Sequence, residues 1–284
     1  MFLSIITPTY NRCNYLKKIA MSIAGQDKTT LHSIEWIIVD DGSKDSTREL
    51  VEKLMVDYGD IYSIRYFYKE NEGKHTAINL GVRNSIGDAL LILDSDDYLL
   101  PKAISIIVKS FKFERNIVCA YLNANSSGEA FPQDYLSVNE FIGLKGDRAF
   151  VFNNKLMKDY PFPIFLGEKF VTESVVWNQL MDLAPVRCIN MPITDGEYLE
   201  GGLSSQYAEL LSGSPQGVLA LVDTNINLKS FSVSAVKQTA FHLSSIIDTH
   251  YCTVMLRKYR SIKSIVLIVA AYYVLIKRKV KLMR

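Results

Sequence analysis

The sequence predicts an α/β fold built around a parallel sheet, and three observations lead there. Short runs rich in Ile, Leu and Val alternate with stretches of helical periodicity through the first half of the chain. Polar and acidic residues collect directly after those runs, where open α/β sheets bind ligands. A hydrophobic fraction of 48% over 284 residues supports a substantial core, as one large domain or a domain with an appendage.

Strands are expected at residues 3–8 (LSIITP), 34–41 (IEWIIVDD), 62–69 (YSIRYFYK) and 89–94 (ALLILD). Apolar residues at helical spacing mark 15–25, 46–57 and 74–85 between them. A helix over 102–113 and a strand over 117–122 continue the alternation. Residues 123–148 are polar and lack a clear period, which reads as a variable excursion. A helix over 172–181, a strand near 186–191, a Gly-rich loop over 195–205 and helices over 214–225 and 233–251 complete the reading.

Charge divides the chain. The last thirty residues carry nine Lys or Arg and no acid, so a net +2 overall leaves the first 254 residues at −7. A basic tail on an acidic body calls for an anionic surface as partner, and no nucleic-acid partner is expected. Four scattered cysteines without a CxxC pair argue against a zinc site or a disulfide framework, and for reduced cytosolic thiols. The chain runs from Met1 straight into FLSIITP, without the basic and small-residue signals of an export leader.

The stretch LLILDSDDYLLP sets Asp94, Asp96 and Asp97 behind four apolar residues. Carboxylates repel one another there unless a cation and a phosphate complete the site. Alternate positions let Asp94 and Asp96 face one cleft as the strand ends, and Mg²⁺ or Mn²⁺ prefers such oxygen ligands with phosphates and waters. A divalent ion suits a reaction in which a diphosphate leaves, because it stabilises the developing charge. The plainer alternative is a cluster of helix-capping acids before Pro101.

Four stretches in order, TPTYNR (7–12), VDDGSKDST (39–47), NEGKHTAINLGVRNSIGD (71–88) and DSDD (94–97), resemble the family 2 glycosyltransferases. The resemblance covers about the first 110 residues well and the next hundred loosely. It implies the GT-A fold, a Rossmann-like mixed sheet with flanking helices, and inverting transfer from a nucleotide sugar. It implies Asp96 as metal ligand, and Asp94 at the ribose or in the metal shell. It puts Asp97 at the donor sugar and Asp41, with Asp40 nearby, at the N3–H of uracil. Pro8 and Thr9 would line the nucleoside pocket, with Tyr10 stacked on the base. Arg12 and Lys74 are candidates for the diphosphate; for both, as for His75, an ordinary surface role is the alternative. The family's Glu-Asp pair corresponds to Glu173 and Ser174 in VTESVVWNQL, so the second acid is missing. Glu173 is the candidate general base, with Glu168 and Asp195 as alternatives. Trp177, one turn on, is either an acceptor platform or a core aromatic, and Thr172 is a candidate N-cap.

Residues 264–276 carry no charge and are flanked by Lys263 and KRKVK (277–281). Thirteen residues are too few to span a bilayer, and the basic flanks and Tyr272–Tyr273 suit an interfacial helix on anionic lipid. A buried core helix or an oligomer contact is the alternative. The expected organisation is a catalytic domain over 1–210 and a helical region over 211–284. Residues 1–100 would be the nucleotide-sugar half, 101–210 the acceptor half, and 255–284 a membrane-associating tail. The expected reaction is metal-dependent (Mn²⁺ or Mg²⁺) transfer from a UDP-sugar to a saccharide carried on polyprenyl diphosphate. It would serve O-antigen or capsule synthesis, with the protein peripheral on the cytoplasmic side of the bacterial inner membrane. The rivals are a sugar nucleotidylyltransferase, disfavoured because TPTYNR lacks glycine, and a degenerate transferase acting as an assembly partner.

Overall fold

The computed structural model describes residues 2–111, 117–125, 128–196 and 206–282. Most of the Gly-rich loop, residues 197–205, and the end of the helix expected over 102–113 lie outside them.

β1 (Leu3–Thr9) leads into α1 (Cys13–Ala24) and the single turn α2 (Lys28–Leu31). β2 (Ile34–Asp40) leads into α3 (Thr47–Tyr58), and β3 (Ser63–Tyr68) into α4 (Lys74–Asn84). β4 (Ala89–Ile92) and β5 (Asp97–Leu99) bracket the acidic stretch, and α5 (Ala103–Ser110) follows. Next come β6 (Val118–Asn123), β7 (Tyr135–Leu136), α6 (Val138–Ile142), β8 (Arg148–Asn153) and α7 (Asn154–Asp159). α8 (Ser174–Leu183) and β9 (Val186–Gly196) precede five helices. These are α9 (Tyr207–Ser212), α10 (Pro215–Ile226), α11 (Val233–Leu243), α12 (Thr249–Tyr259) and α13 (Ile262–Leu282).

Among the described residues nine strands form one sheet in the order β3-β2-β1-β4-β8-β6-β9-β5, with β7 paired to β9. β1 to β4 are parallel, as the apolar runs predict. β8 then enters antiparallel between β4 and β6 and makes the sheet mixed. Successive side chains on a strand face opposite ways, so each strand feeds two cores. Ile6, Ile37 and Leu90 pack under α4 and α8. Ile5, Trp36, Ile38 and Leu91 pack against α1, α3 and α5.

A third apolar cluster holds the C-terminal helices together, with Val222, Leu243, Met255, Leu267 and Ala271 at its centre. The helix expected over 233–251 is two helices: the chain leaves α11 at Ser244, and the Asp248 carboxylate caps α12 by accepting from the Tyr251 N–H. Ile246 and Ile247 in the break are buried, which is why apolar periodicity ran through it. α13 is 21 residues long, not 13, and no helix among the described residues is long and apolar enough to cross a membrane. One face of α13 buries Ser264, Leu267 and Ala271. The opposite face exposes Ile262, Val266, Val269, Tyr273, Ile276 and Val280, spaced by four and three in alternation.

Candidate active site

Parallel strands carry their carboxyl ends to one edge, so TPTYNR, VDDGS and DSDD converge there. Asn11 takes a left-handed conformation (φ 52°) and latches two of these loops. Its N–H donates to Ser43 Oγ (2.8 Å), and its Oδ1 accepts from the Lys44 N–H (2.8 Å). Arg12 then reaches across to Asp96, Nη1 to Oδ2 at 2.8 Å.

Asp41 is buried, and its carboxylate already accepts three donors. Lys69 Nζ (2.8 Å) and the Glu72 N–H (3.1 Å) reach Oδ1, and the Gly73 N–H (2.8 Å) reaches Oδ2. Its observed work is therefore to clamp residues 69–73 beneath the start of α4, with room left at Oδ2 for one more donor such as a base N–H. Asp40 is likewise engaged, by the Ser43 N–H and the Tyr66 hydroxyl. Pro8 and Thr9 are buried in β1, Thr9 Oγ1 has no hydrogen-bond partner among the described residues, and Tyr10 is 45% exposed at the strand's end. Lys69 and Tyr66 were missed from the sequence. Only the β2–β3 register, which sets Tyr68 beside Asp40, brings that end of β3 to the site.

Gly73 shapes the next step. Its φ of 101° suits glycine, and a Cβ there would strike the Lys169 carbonyl. The turn launches α4 so that Lys74 enters the cleft between Asp94 and Glu173. Lys74 Nζ lies 2.8 Å from Asp94 Oδ1, 2.9 Å from Asp94 Oδ2 and 2.8 Å from Glu173 Oε1. Burial alone would lower the Lys74 ammonium; the Asp94 and Glu173 charges hold it well above its ordinary value. Burial pushes Glu173 up, and Lys74 more than offsets this by charge and hydrogen bond, so the carboxyl lies below its usual range and is ionised.

Asp97 opens β5, which pairs antiparallel with β9. Desolvation, then the charges of Asp94 and Asp96, push its carboxyl up to about 8, and Asp94 is also raised, chiefly by burial. For these two carboxyls a cation joining the cluster would favour the charged form. Among the described residues no three His, Cys, Asp or Glu side chains form a ready-made metal cage. The donor set nonetheless fits Mg²⁺ or Mn²⁺, which need only one or two carboxylates when phosphates and waters complete the shell. Asp96, about a quarter exposed and paired with Arg12, could serve as such a ligand, with Asp94 beside it.

Several expected roles are corrected. Trp177 is no acceptor platform: it is nine-tenths buried, with ring centroids 4.5 Å from Phe152, 5.4 Å from Phe162 and 6.4 Å from Phe150. Glu168 spends its carboxylate on the Gln216 and Gly217 N–H groups at the start of α10. Asp195 accepts from the Tyr98 hydroxyl and the Gly196 N–H. Ser174 Oγ faces Gln238 on α11, and Glu173, not Thr172, stands at the N-cap of α8.

His75 is buried, and neither ring nitrogen has a hydrogen-bond partner among the described residues. Burial pushes the imidazole down to about 4, against the pull of Asp41. The ring stays neutral in the folded protein while the unfolded chain binds a proton near 6.5, so stability is complete above that pH and falls toward pH 4. The expected loss is about 3 kcal/mol between pH 7 and pH 4. His75→Leu should remove most of it in denaturant melts at the two pH values; equal losses in both proteins would show that the ring titrates normally.

Comparison with known proteins bears on the family and the fold. Residues 35% identical over 135 positions, 46% of this chain, align with the chondroitin synthase of Pasteurella multocida, but span only 13% of that synthase's length. S. aureus TarS 1–349 in complex with UDP-GlcNAc superposes with a TM-score of 0.60 at 19% identity, covering 95% of this chain and 79% of that one. The mannosyltransferase PcManGT of Pyrobaculum calidifontis, in complex with GDP-Man and Mn²⁺, gives 0.56 at 15% identity, with 96% and 86% covered. At such identities the likeness shows the fold, a GT-A-like mixed sheet. The profile described as Glycosyl transferase family 2 matches residues 4–173, from the first strand to Glu173. That is more than half of the sequence, and the chain belongs to this family.

Proposed function

We propose that the chain is an inverting, metal-dependent glycosyltransferase that moves a sugar from a UDP-sugar to a saccharide on polyprenyl diphosphate. The observation that carries this reading is one cleft in which Lys74 bridges an ionised carboxylate, Glu173, to Asp94, with Asp96 two residues on and paired to Arg12. Glu173 takes the proton of the acceptor hydroxyl. The freed oxygen bonds to the anomeric carbon from the face opposite the diphosphate, and the carbon–oxygen bond to UDP breaks with its electron pair. Asp96, with Asp94, would hold the divalent ion, which when bound offsets the charge on the leaving diphosphate. A nucleotidylyltransferase reading finds no support, since residues 10–12 hold no glycine to wrap a triphosphate. The test is a panel of nucleotide sugars with and without Mn²⁺. Release of UDP from one donor, lost on chelation and faster with acceptor, is expected; no release from any donor overturns the reading.

In this reading the acceptor belongs to O-antigen or capsule synthesis at the cytoplasmic face of the bacterial inner membrane, and α13 supports a peripheral seat there. Its exposed stripe is apolar, helix residues 262–282 contain no acid, and Lys277 and Lys279 border the stripe. A second copy of this helix would bring like charges together, whereas anionic lipid complements them. A largely apolar groove of about 370 Å³, lined by Phe231, Val233, Val236, Ile262 and Val266 with Ser232 and Lys263, continues the surface. Deleting α13 is a poor test, because Leu267 and Ala271 belong to the core. Val269→Asp with Ile276→Asp is expected to release the protein from anionic liposomes while UDP affinity and melting temperature hold. Unchanged co-sedimentation would rule the stripe out as the anchor.

A further inference from the structure

We infer that Lys74 is a positioning residue for the general base, aiming the Glu173 carboxylate over the donor floor. The inference rests on Glu173 being that base. An ammonium has three donors, and here one side of it faces the two oxygens of the Asp94 carboxylate and another meets a Glu173 oxygen, all at 2.8–2.9 Å, so Lys74 ties the two acids together. Glu173 needs such a guide. It sits at the N-cap of α8 without a capping hydrogen bond, its neighbour Ser174 is turned to Gln238, and among the described residues Lys74 is the side chain that hydrogen-bonds its carboxylate. A three-torsion acid without that contact would sample orientations away from the acceptor hydroxyl, and misplacement of this kind lowers the rate of a proton transfer steeply.

The backbone beneath Lys74 is built to hold it. Gly73 donates its N–H to Asp41, its carbonyl accepts from Thr76 Oγ1 (2.8 Å), and the Lys169 carbonyl closes over its Cα. Lys169 Nζ adds a bond to Asn71 Oδ1 at 2.9 Å. A continuous path of contacts thus runs from Asp41, in the expected base pocket, through Gly73 and Lys74 to Glu173. Occupation of the donor site and aim of the base share one support.

The test is a double-mutant cycle on full-length protein with Lys74→Met and Glu173→Gln, and with Lys74→Arg as the conservative variant. Turnover is read with the UDP-sugar selected by the donor panel at saturating concentration, and affinity by calorimetry with UDP and Mn²⁺. Lys74→Met is expected to lower kcat by about tenfold or more and to change UDP affinity by less than about threefold. In the Glu173→Gln background it should cost almost nothing further, and Lys74→Arg should recover part of the loss. Additive losses in the two backgrounds, or a large loss of UDP affinity with kcat intact, would overturn the inference while leaving the base assignment standing. Near-normal turnover of Glu173→Gln alone would overturn both. Lys74→Gln, which keeps a donor without the charge, serves the same cycle if the methionine variant melts early.

Discussion

Asp96→Ala is expected to reduce UDP affinity in the presence of Mn²⁺ to the level seen without metal. The side chain is about a quarter exposed and lines the cleft, and its recorded partner is Arg12 at 2.8 Å. No core packing depends on it, and a partly exposed ion pair contributes only about 0–1 kcal/mol, so the melting temperature should barely move. Under the proposed function, what the variant loses is the carboxylate that would gather the cation and the diphosphate into one place. Arg12, freed from its partner, should keep a weak, metal-independent affinity for UDP that fades with added salt. Calorimetric titration of UDP with and without Mn²⁺ reads both effects. Metal-enhanced affinity equal to that of the parent protein would show that Asp96 is not a ligand.

The second large effect is expected at Glu173. The change to Gln keeps length and shape, so donor binding should persist, yet the amide cannot take the acceptor proton. Loss of a general base typically costs about 10²–10⁴ in rate, and a fall of about a hundredfold or more is the expected result at saturating acceptor. Neither of the two alternative acids stands ready to replace it. Glu168 is committed to the start of α10, and Asp195 to Tyr98 and the Gly196 N–H. Ser174, where a second acid would stand, points away toward α11. Turnover within a few-fold of the parent would move the base elsewhere.

Much of the fold was legible because local signals agreed. The first four strands and three principal helices lie within about two residues of their expected positions. β8 was not legible. RAFVFN is six residues long, follows an aperiodic stretch, and becomes a strand because β4 and β6 leave hydrogen-bonding edges on either side of it. The tail was legible in charge but not in packing, since an apolar residue on α13 looks the same in sequence whether it faces α11 or solvent.

The sequence by itself determined the order of the ligand-bearing loops, the acids that end β4 and the acid that opens α8. Those follow from hydrophobic period and residue type, which act over a few neighbouring positions. Only the tertiary structure decided what those residues do to one another. Lys74 and Glu173 are 99 positions apart, and Asp41 meets Gly73 across 32; no local pattern encodes either contact. Trp177 was ambiguous for the same reason: a helical face is core or cleft according to what packs on it, and here three phenylalanines from distant segments do. Electrostatics followed packing, because burial and the distance between charges, both products of the fold, set which carboxyl is ionised and which is held protonated.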